Sequence, residues 1–228
     1  MSLYAIGDLH LSLSNDKPMD VFGPSWEGHV ERLRDGFSHL TDEDVTVLCG
    51  DLSWAMSLRE AGEDFRFIDS LPGMKYIIKG NHDYWFSTAA KIHSFFDECG
   101  IKTIKLIHNN CAFYGETALC GTRGWFYDQS KSGAHDEKIF RRELMRLETS
   151  LKAAGDAPKL CFLHYPPVFD GFRCGEITDM LENYGVTKCC YGHLHGRSIF
   201  SAVRGLIGRV EYSLVSADAL GFRPVKLI

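Results

Sequence analysis

Apolar residues recur along this chain in two rhythms. Short runs rich in β-branched and aromatic residues at 3–7, 44–50 and 74–79 predict buried strands. Between the first two, Trp26, Val30, Leu33, Phe37 and Leu40 recur at steps of four, three, four and three, which predicts a helix with Ser25 as its cap. Leu58, Ala61, Phe65, Ile68 and Leu71 mark a second helix that Pro72-Gly73 stops, and residues 86–99 read as a third. Strands alternating with helices predict a parallel sheet with helical crossovers.

After residue 100 the rhythm changes. Short strands are expected at 101–107, 111–114 and 117–121, with Asn109-Asn110 and Gly115-Glu116 as turns. A loop opens at Gly121-Thr122-Arg123-Gly124-Trp125 and reaches past Gly133. Residues 135–154 form a long charged helix whose charges read as a solvated face. Strands at 159–163 and 186–191 flank a short helix near 177–183, and three more are expected at 198–203, 209–215 and 224–228. The pattern predicts the α/β class, with two packed sheets, helices outside them, and one domain over residues 1–228.

Composition narrows this picture. With 228 residues, 45% of them apolar, the chain has ample material for a large core. No run approaches the roughly 18 apolar residues of a membrane span, and the first strand starts so early that no leader segment is expected. Eight cysteines include no Cys-x-x-Cys pair and several sit in apolar runs, which points to reduced thiols and a cytoplasmic location. The formal charge of −5, without a run of Lys and Arg, argues against an extended nucleic-acid face.

The chemistry sits where the strands end. Asp8 and His10, Asp51, Asn81 with His82, His164, and His193 with His195 each follow an apolar run. In an open α/β sheet, ligands bind at the carboxyl ends of the strands. Asp-x-His and His-x-His at a spacing of two place both side chains on one side if the backbone stays extended. Any one of these pieces is ordinary turn chemistry. Together they would bury several polar and charged groups at great cost unless a cation sits among them.

The ordered set Gly7-Asp8-Leu9-His10, Gly50-Asp51, Gly80-Asn81-His82-Asp83, His164 and Gly192-His193-Leu194-His195 resembles the calcineurin-like metallophosphoesterases over residues 7–195. The resemblance implies a four-layer α/β/β/α sandwich of two mixed sheets flanked by helices. It also implies two metal ions, one held by Asp8, His10, Asp51 and His195 and the other by Asp51, Asn81, His164 and His193, with Asp51 shared. Ions roughly 3.5–4 Å apart lower the pKa of a water between them and hold a phosphate ester for attack by that hydroxide. Mixed imidazole and oxygen donors favour manganese, iron, zinc or nickel over calcium or magnesium. His82 would protonate the leaving alkoxide. The same fold also serves as a non-catalytic scaffold for partner proteins, which is the alternative reading.

One departure from the family pattern is Trp54, three positions after Asp51, where many relatives carry an acidic residue that orients the histidine. Either Asp83 or a backbone carbonyl then orients His82, or its part in proton transfer is weaker, and Trp54 becomes either a substrate wall or a core residue. The expected substrate is a small phosphorylated molecule, a phosphoprotein or a small diester. Arg123 is a candidate phosphate contact. Tyr84, Trp85, Trp125, Phe126, Tyr127 and Tyr165 could form a stacking surface or simply pack.

Overall fold

The computed structural model describes residues 1–14, 17, 19–126 and 133–228. Asn15, Pro18, Tyr127 and the middle of the loop expected after Trp125 lie outside them. Strands β1 (Leu3–Ile6), β2 (Val45–Leu48), β3 (Met74–Ile77) and β4 (Ile104–Leu106) run parallel, and β13 (Val225–Lys226) pairs antiparallel with β1 at the edge. The second sheet has the order β11 (Gly205–Ile207), β12 (Val210–Leu214), β10 (Val186–Tyr191), β7 (Lys159–Leu163), β6 (Thr117–Thr122) and β5 (Ala112–Tyr114). Its four central strands are parallel and its two outer pairs antiparallel.

Alternation along the strands builds the layers, because successive side chains point to opposite faces. Leu3, Ala5, Val45 and Val47 from the first sheet meet Leu119, Leu160, Phe162 and Cys190 from the second in a core between the sheets. The alternate residues Tyr4, Ile6 and Leu48 face outward. There they pack with Leu33 and Phe37 of α1 (His29–Phe37), Phe65 and Ile68 of α2 (Gly62–Ser70), and Ile92 and Phe96 of α3 (Ala89–Cys99). On the far side Cys161, Leu163, Cys189 and Tyr191 meet Phe140, Leu147 and Leu151 of α4 (Ala134–Ala153) and Ile177 and Leu181 of α5 (Gly175–Asn183). The result is the four-layer α/β/β/α sandwich. No helix among the described residues is long and apolar enough to cross a membrane.

The carboxyl edges of the two sheets are stitched together. Gly7 N–H donates to Val215 O at 2.7 Å, and Ala217 N–H donates to Gly7 O at 3.0 Å. Gly7 lies against Cys49, where an added Cβ would stand 2.9 Å from the cysteine Cβ. That close approach explains the glycine, and it draws the ends of β1, β2 and β12 into one rim.

Several expected elements differ. Helix α1 starts at His29 after a 3-10 turn at Pro24–Trp26, and its cap is Gly28 in the left-handed region instead of Ser25. A glycine there adopts the positive φ without steric penalty, whereas the Ser25 carbonyl accepts from Arg32 Nη1. The strand expected at 198–203 is a 3-10 helix, Gly196–Ser201, capped by the His195 and Ser198 side chains. A small hairpin, β8 (Val168–Phe169) with β9 (Phe172–Arg173), and the edge strand β11 carried too short a pattern to be foreseen. All eight cysteines are free thiols.

Candidate metal centre

Each candidate side chain leaves the sheet at a strand end, and at four of the seven the backbone is left-handed. Asp8, His10, Asp51 and His193 have φ of 60°, 46°, 51° and 74°. Only two other non-glycine residues among those described, Asn109 and Phe222, share the left-handed region, which costs a non-glycine residue roughly 1–3 kcal/mol. The extended backbone on which a shared side for Asp8-x-His10 and His193-x-His195 was conditional is therefore absent at Asp8, His10 and His193, although His195 is extended. Both members of each pair still reach the centre, because the chain coils tightly around it.

Glycines make this coil possible. A Cβ on Gly80 would overlap Asp51 Oδ1, and one on Gly192 would overlap Asp8 Oδ2. One on Gly50 would stand 2.7 Å from Gly80 Cα and 3.0 Å from His164 Nδ1. The glycine that precedes Asp8, Asp51, Asn81 and His193 in the sequence is thus the space into which the neighbouring loop fits.

Two groups of donors result, Asp8 with His10 and His195, and Asp51 with His164 and His193. His195 Nε2 is 3.2 Å from Asp8 Oδ1 and 3.3 Å from His10 Nε2. In the second group His164 Nε2 is 3.4 Å from Asp51 Oδ2 and 3.2 Å from His193 Nδ1. Asn81 Oδ1 stands 2.6 Å from His164 Nε2 and 2.9 Å from His193 Nδ1. Asp51 faces both groups, since its Oδ2 is also 3.8 Å from His10 Nε2. The structure brings all seven sequence candidates together.

The donor set fits cations. Bonds of about 2.0–2.2 Å to one ion would place neighbouring donor atoms about 3.0–3.4 Å apart, the spacing seen in both groups. Imidazole nitrogens face one another in each, an arrangement in which a shared cation relieves lone-pair repulsion. Two of the outer nitrogens are engaged as metal-binding histidines require, while His10 Nδ1 is buried without a partner among the described residues. His164 Nδ1 donates to the Cys49 carbonyl at 3.0 Å, and His195 Nδ1 meets Asp218 Oδ1 at 3.0 Å.

Asp218 escaped the sequence reading. Its side chain is buried, and besides holding His195 it accepts from Gly196 N–H at 2.9 Å. It lies in Ser216-Ala217-Asp218, far beyond the last motif, and an isolated Asp after a strand carries no distinguishing pattern.

Electrostatics without a cation show the strain of this packing. Burial raises Asp51, and the Asp8 charge adds to the effect, taking it to about 8. Burial would raise Asp8 too, but His195, His164 and His10 pull its carboxyl below the ordinary range. Burial lowers His193 to about 3 and also lowers His164 and His10. For His195 burial is outweighed by Asp8 and Asp218, and it rises to about 10.

His82 lines a cavity of about 320 Å³ that opens over both groups and has Trp26 and Trp54 as apolar walls. Trp54 stacks on His10 with centroids 4.9 Å apart and tilts against His82 at 4.3 Å. It is therefore a cavity wall and a brace for two histidines. Of the alternatives for orienting His82, Asp83 is excluded. Asp83 is fully buried and its carboxylate is already taken by the N–H groups of Gly80 (2.7 Å), Asp51 (2.9 Å), Leu52 (2.8 Å) and Trp85 Nε1 (3.0 Å). His82 Nδ1 instead lies 3.4 Å from the Tyr84 hydroxyl.

Arg123 lies outside this cavity. It pairs with buried Glu143 at 3.3 Å and stacks on Trp125. Of the candidate stacking surface, Trp85 is core, Tyr84 is exposed, and Trp125, Phe126 and Tyr165 cluster beside His193.

The model of the family described as calcineurin-like phosphoesterase matches residues 1–197. The chain belongs to this family. Among solved structures, it is similar to the phosphopantetheinyl hydrolase PptH from Mycobacterium tuberculosis at 13% identity and a TM-score of 0.62, covering 100% of this chain and 95% of that one. It is also similar to the protein of unknown function AQ665 from Aquifex aeolicus at 17% identity and a TM-score of 0.52, covering 99% and 95%. At these identities both likenesses show the fold alone. No curated protein matches the sequence. The calcineurin-like match ends before Asp218, so that the contact to His195 comes from a part of the chain that the family model does not reach.

The glycine cradle yields a test. Gly80→Ala is expected to displace the Asp51 carboxylate and lower stability by roughly 2–3 kcal/mol, read as the shift of a chemical denaturation midpoint. Gly175→Ala, where a Cβ would meet nothing within 4 Å and where φ, as at Gly80, is not positive, serves as the control.

Proposed function

We propose that residues 1–228 act as one domain, a dinuclear metal-dependent phosphoesterase that hydrolyses a phosphate ester. The observation that carries this reading is the position of Asp51 between the two donor groups, with Oδ2 3.8 Å from His10 Nε2 and 3.4 Å from His164 Nε2. Asp8, His10 and His195 would hold one ion, His164, His193 and Asn81 the other, and Asp51 would serve both. The imidazole-rich set favours manganese, iron, zinc or nickel. When bound, such a pair activates water at neutral pH and polarises the phosphoryl oxygens.

The chain's own residues do the rest. The shared carboxylate fixes the spacing of the two groups, and its other oxygen, Oδ1, accepts from His82 N–H at 2.7 Å. That bond ties the proton donor's backbone to the bridging residue. His82 lines the cavity and is proposed to protonate the departing alkoxide, with Trp54 limiting its ring to one side. Asp218 holds His195 through Nδ1 and leaves Nε2 turned towards Asp8. The aromatic walls exclude water and leave room for a small phosphorylated group, so a free small molecule, an exposed phosphorylated side chain or a small diester can enter. The scaffold alternative predicts no need for His82, which here stays at the cavity.

Three outcomes are expected. Asp51→Asn should abolish hydrolysis of both p-nitrophenyl phosphate and bis-p-nitrophenyl phosphate while lowering bound metal by elemental analysis; full metal content would count against the bridge. His82→Ala should keep its metal and lose about 10²–10⁴-fold in kcat on an alkyl phosphate, with a smaller loss on a nitrophenyl ester, whose leaving group needs no proton. Asp218→Asn should weaken metal binding by about 10–100-fold, with activity recovering at high metal concentration. Irrecoverable activity in a folded, metal-saturated Asp218→Asn protein would rule out a role confined to positioning His195.

A further inference from the structure

A second cavity of about 350 Å³ opens at the same carboxyl rim, where β3, β4 and β6 end. Lys79 comes from the end of β3, His108 from the turn after β4, and Arg123 from the end of β6. Arg142 and Arg146 reach it from α4, and Thr88 caps the N-terminus of α3 at its wall. These residues are scattered through the sequence, so no run of basic residues announced them. The charged face of α4, read from the sequence as solvated, is corrected here for Arg142 and Arg146, and the local basic patch that the net charge left open is present.

The charges in this cavity are not balanced. Glu143 is the carboxylate beneath it, with Oε1 2.9 Å from Arg146 Nη1, 3.3 Å from Arg123 Nη2 and 3.9 Å from Arg142 Nε. Its other oxygen accepts from the Thr122 hydroxyl at 2.8 Å. One buried carboxylate cannot neutralise four cations. Lys79 has no carboxylate within ion-pair distance among the described residues and lies over the Phe86 ring, which His108 also packs against. Arg123 Nε is buried without a hydrogen-bond partner among the described residues. Unmet donors, surplus positive charge and a helix N-terminus on one concave wall are the chemistry of an oxyanion site.

This cavity adjoins the metal centre through the backbone. The Arg123 carbonyl accepts from His164 N–H at 3.1 Å and Tyr165 N–H at 2.8 Å, and Lys79 stands two residues before Asn81. We propose that it binds a second phosphate group of the substrate, so that the preferred ester carries two phosphate groups. This rests on the phosphoesterase reading for the first group, while the pocket itself does not.

The test uses the metal-loaded full chain as wild type, Arg142→Glu, Arg142→Glu/Arg146→Gln, and Arg141→Gln as a charge control from the same helix outside the pocket. Calorimetric titration with inorganic phosphate should give one more phosphate per chain in the wild type and control than in the double variant. For a sugar bisphosphate, kcat/KM should fall about tenfold or more in the double variant through KM, and by less in Arg142→Glu, whose exposed side chain makes that variant the least disruptive to the fold. Turnover of p-nitrophenyl phosphate should stay within about twofold throughout, since that ester has no second phosphate to lose. Equal phosphate stoichiometry in wild type and double variant overturns the pocket. Phosphate bound there with no difference in bisphosphate KM makes it a site for free phosphate and overturns its role in substrate selection. If no ester is turned over by any metal-loaded form, the metal-centre reading fails, while the phosphate titration still decides the pocket.

Discussion

The carboxylate of Asp83 holds two turns of the rim in place, those after β2 and β3. It is fully buried, and it gathers the backbone N–H groups of Gly80, Asp51 and Leu52 and the indole of Trp85. Hydrogen bonds to a charged acceptor contribute about 1.5–3 kcal/mol each, and orphaned buried donors cost a comparable amount. These bonds offset the left-handed backbone at Asp51 and fix the loop after β2 against the loop after β3. Asp51, Asn81 and His82 inherit their positions from that junction. Burial, with the Asp51 charge beside it, raises Asp83 to about 6, so the anchor and the site it supports are electrostatically linked.

The wider fold explains why distant residues meet. Each strand alternates between the central core and an outer helical core, and the parallel strands of each sheet end together at the rim. Bonds from Gly7 to Val215 and Ala217 close the rim where the sheets meet. Side chains from β1, β2 and β3 then face those from β7 and β10 across a narrow gap. Helices cover the outer faces, which leaves the rim as the place where polar side chains can converge on a ligand.

Much of this was legible in the sequence because its signals were periodic or short-range. Strand and helix rhythms gave the layers, the glycine-led motifs gave six of the seven residues that converge, and His164 followed from its place at the end of an apolar run. What remained hidden depended on contacts between distant segments. Asp83 looked like a partner for His82, yet the nearby loop after β2 offered stronger donors. Asp218 had no motif and became visible only through its 3.0 Å contact with His195 Nδ1. Ser25 was a plausible cap, but Gly28 better suits the left-handed turn that enters α1. The left-handed φ at Asp8 and His10 replaced the extended geometry on which their shared side was conditional, although the pair still converged.

Net charge was the least informative quantity, and the reason is spatial. A chain of −5 can still focus positive potential wherever its cations share a concave wall of low dielectric. The charged residues of α4 illustrate this. Arg141 pairs with Glu137 at 2.6 Å on the exposed side, whereas Arg142 and Arg146 turn towards Glu143 and the rim. Residues adjacent in sequence thus belong to different electrostatic environments, because a helix rotates about 100° per residue. Two of those environments matter at the rim. One gathers imidazoles and carboxylates that suit cations, and the other gathers guanidinium and ammonium groups that suit anions. A molecule whose phosphate groups span that boundary would satisfy both at once, and a single phosphate would leave one of them unmatched.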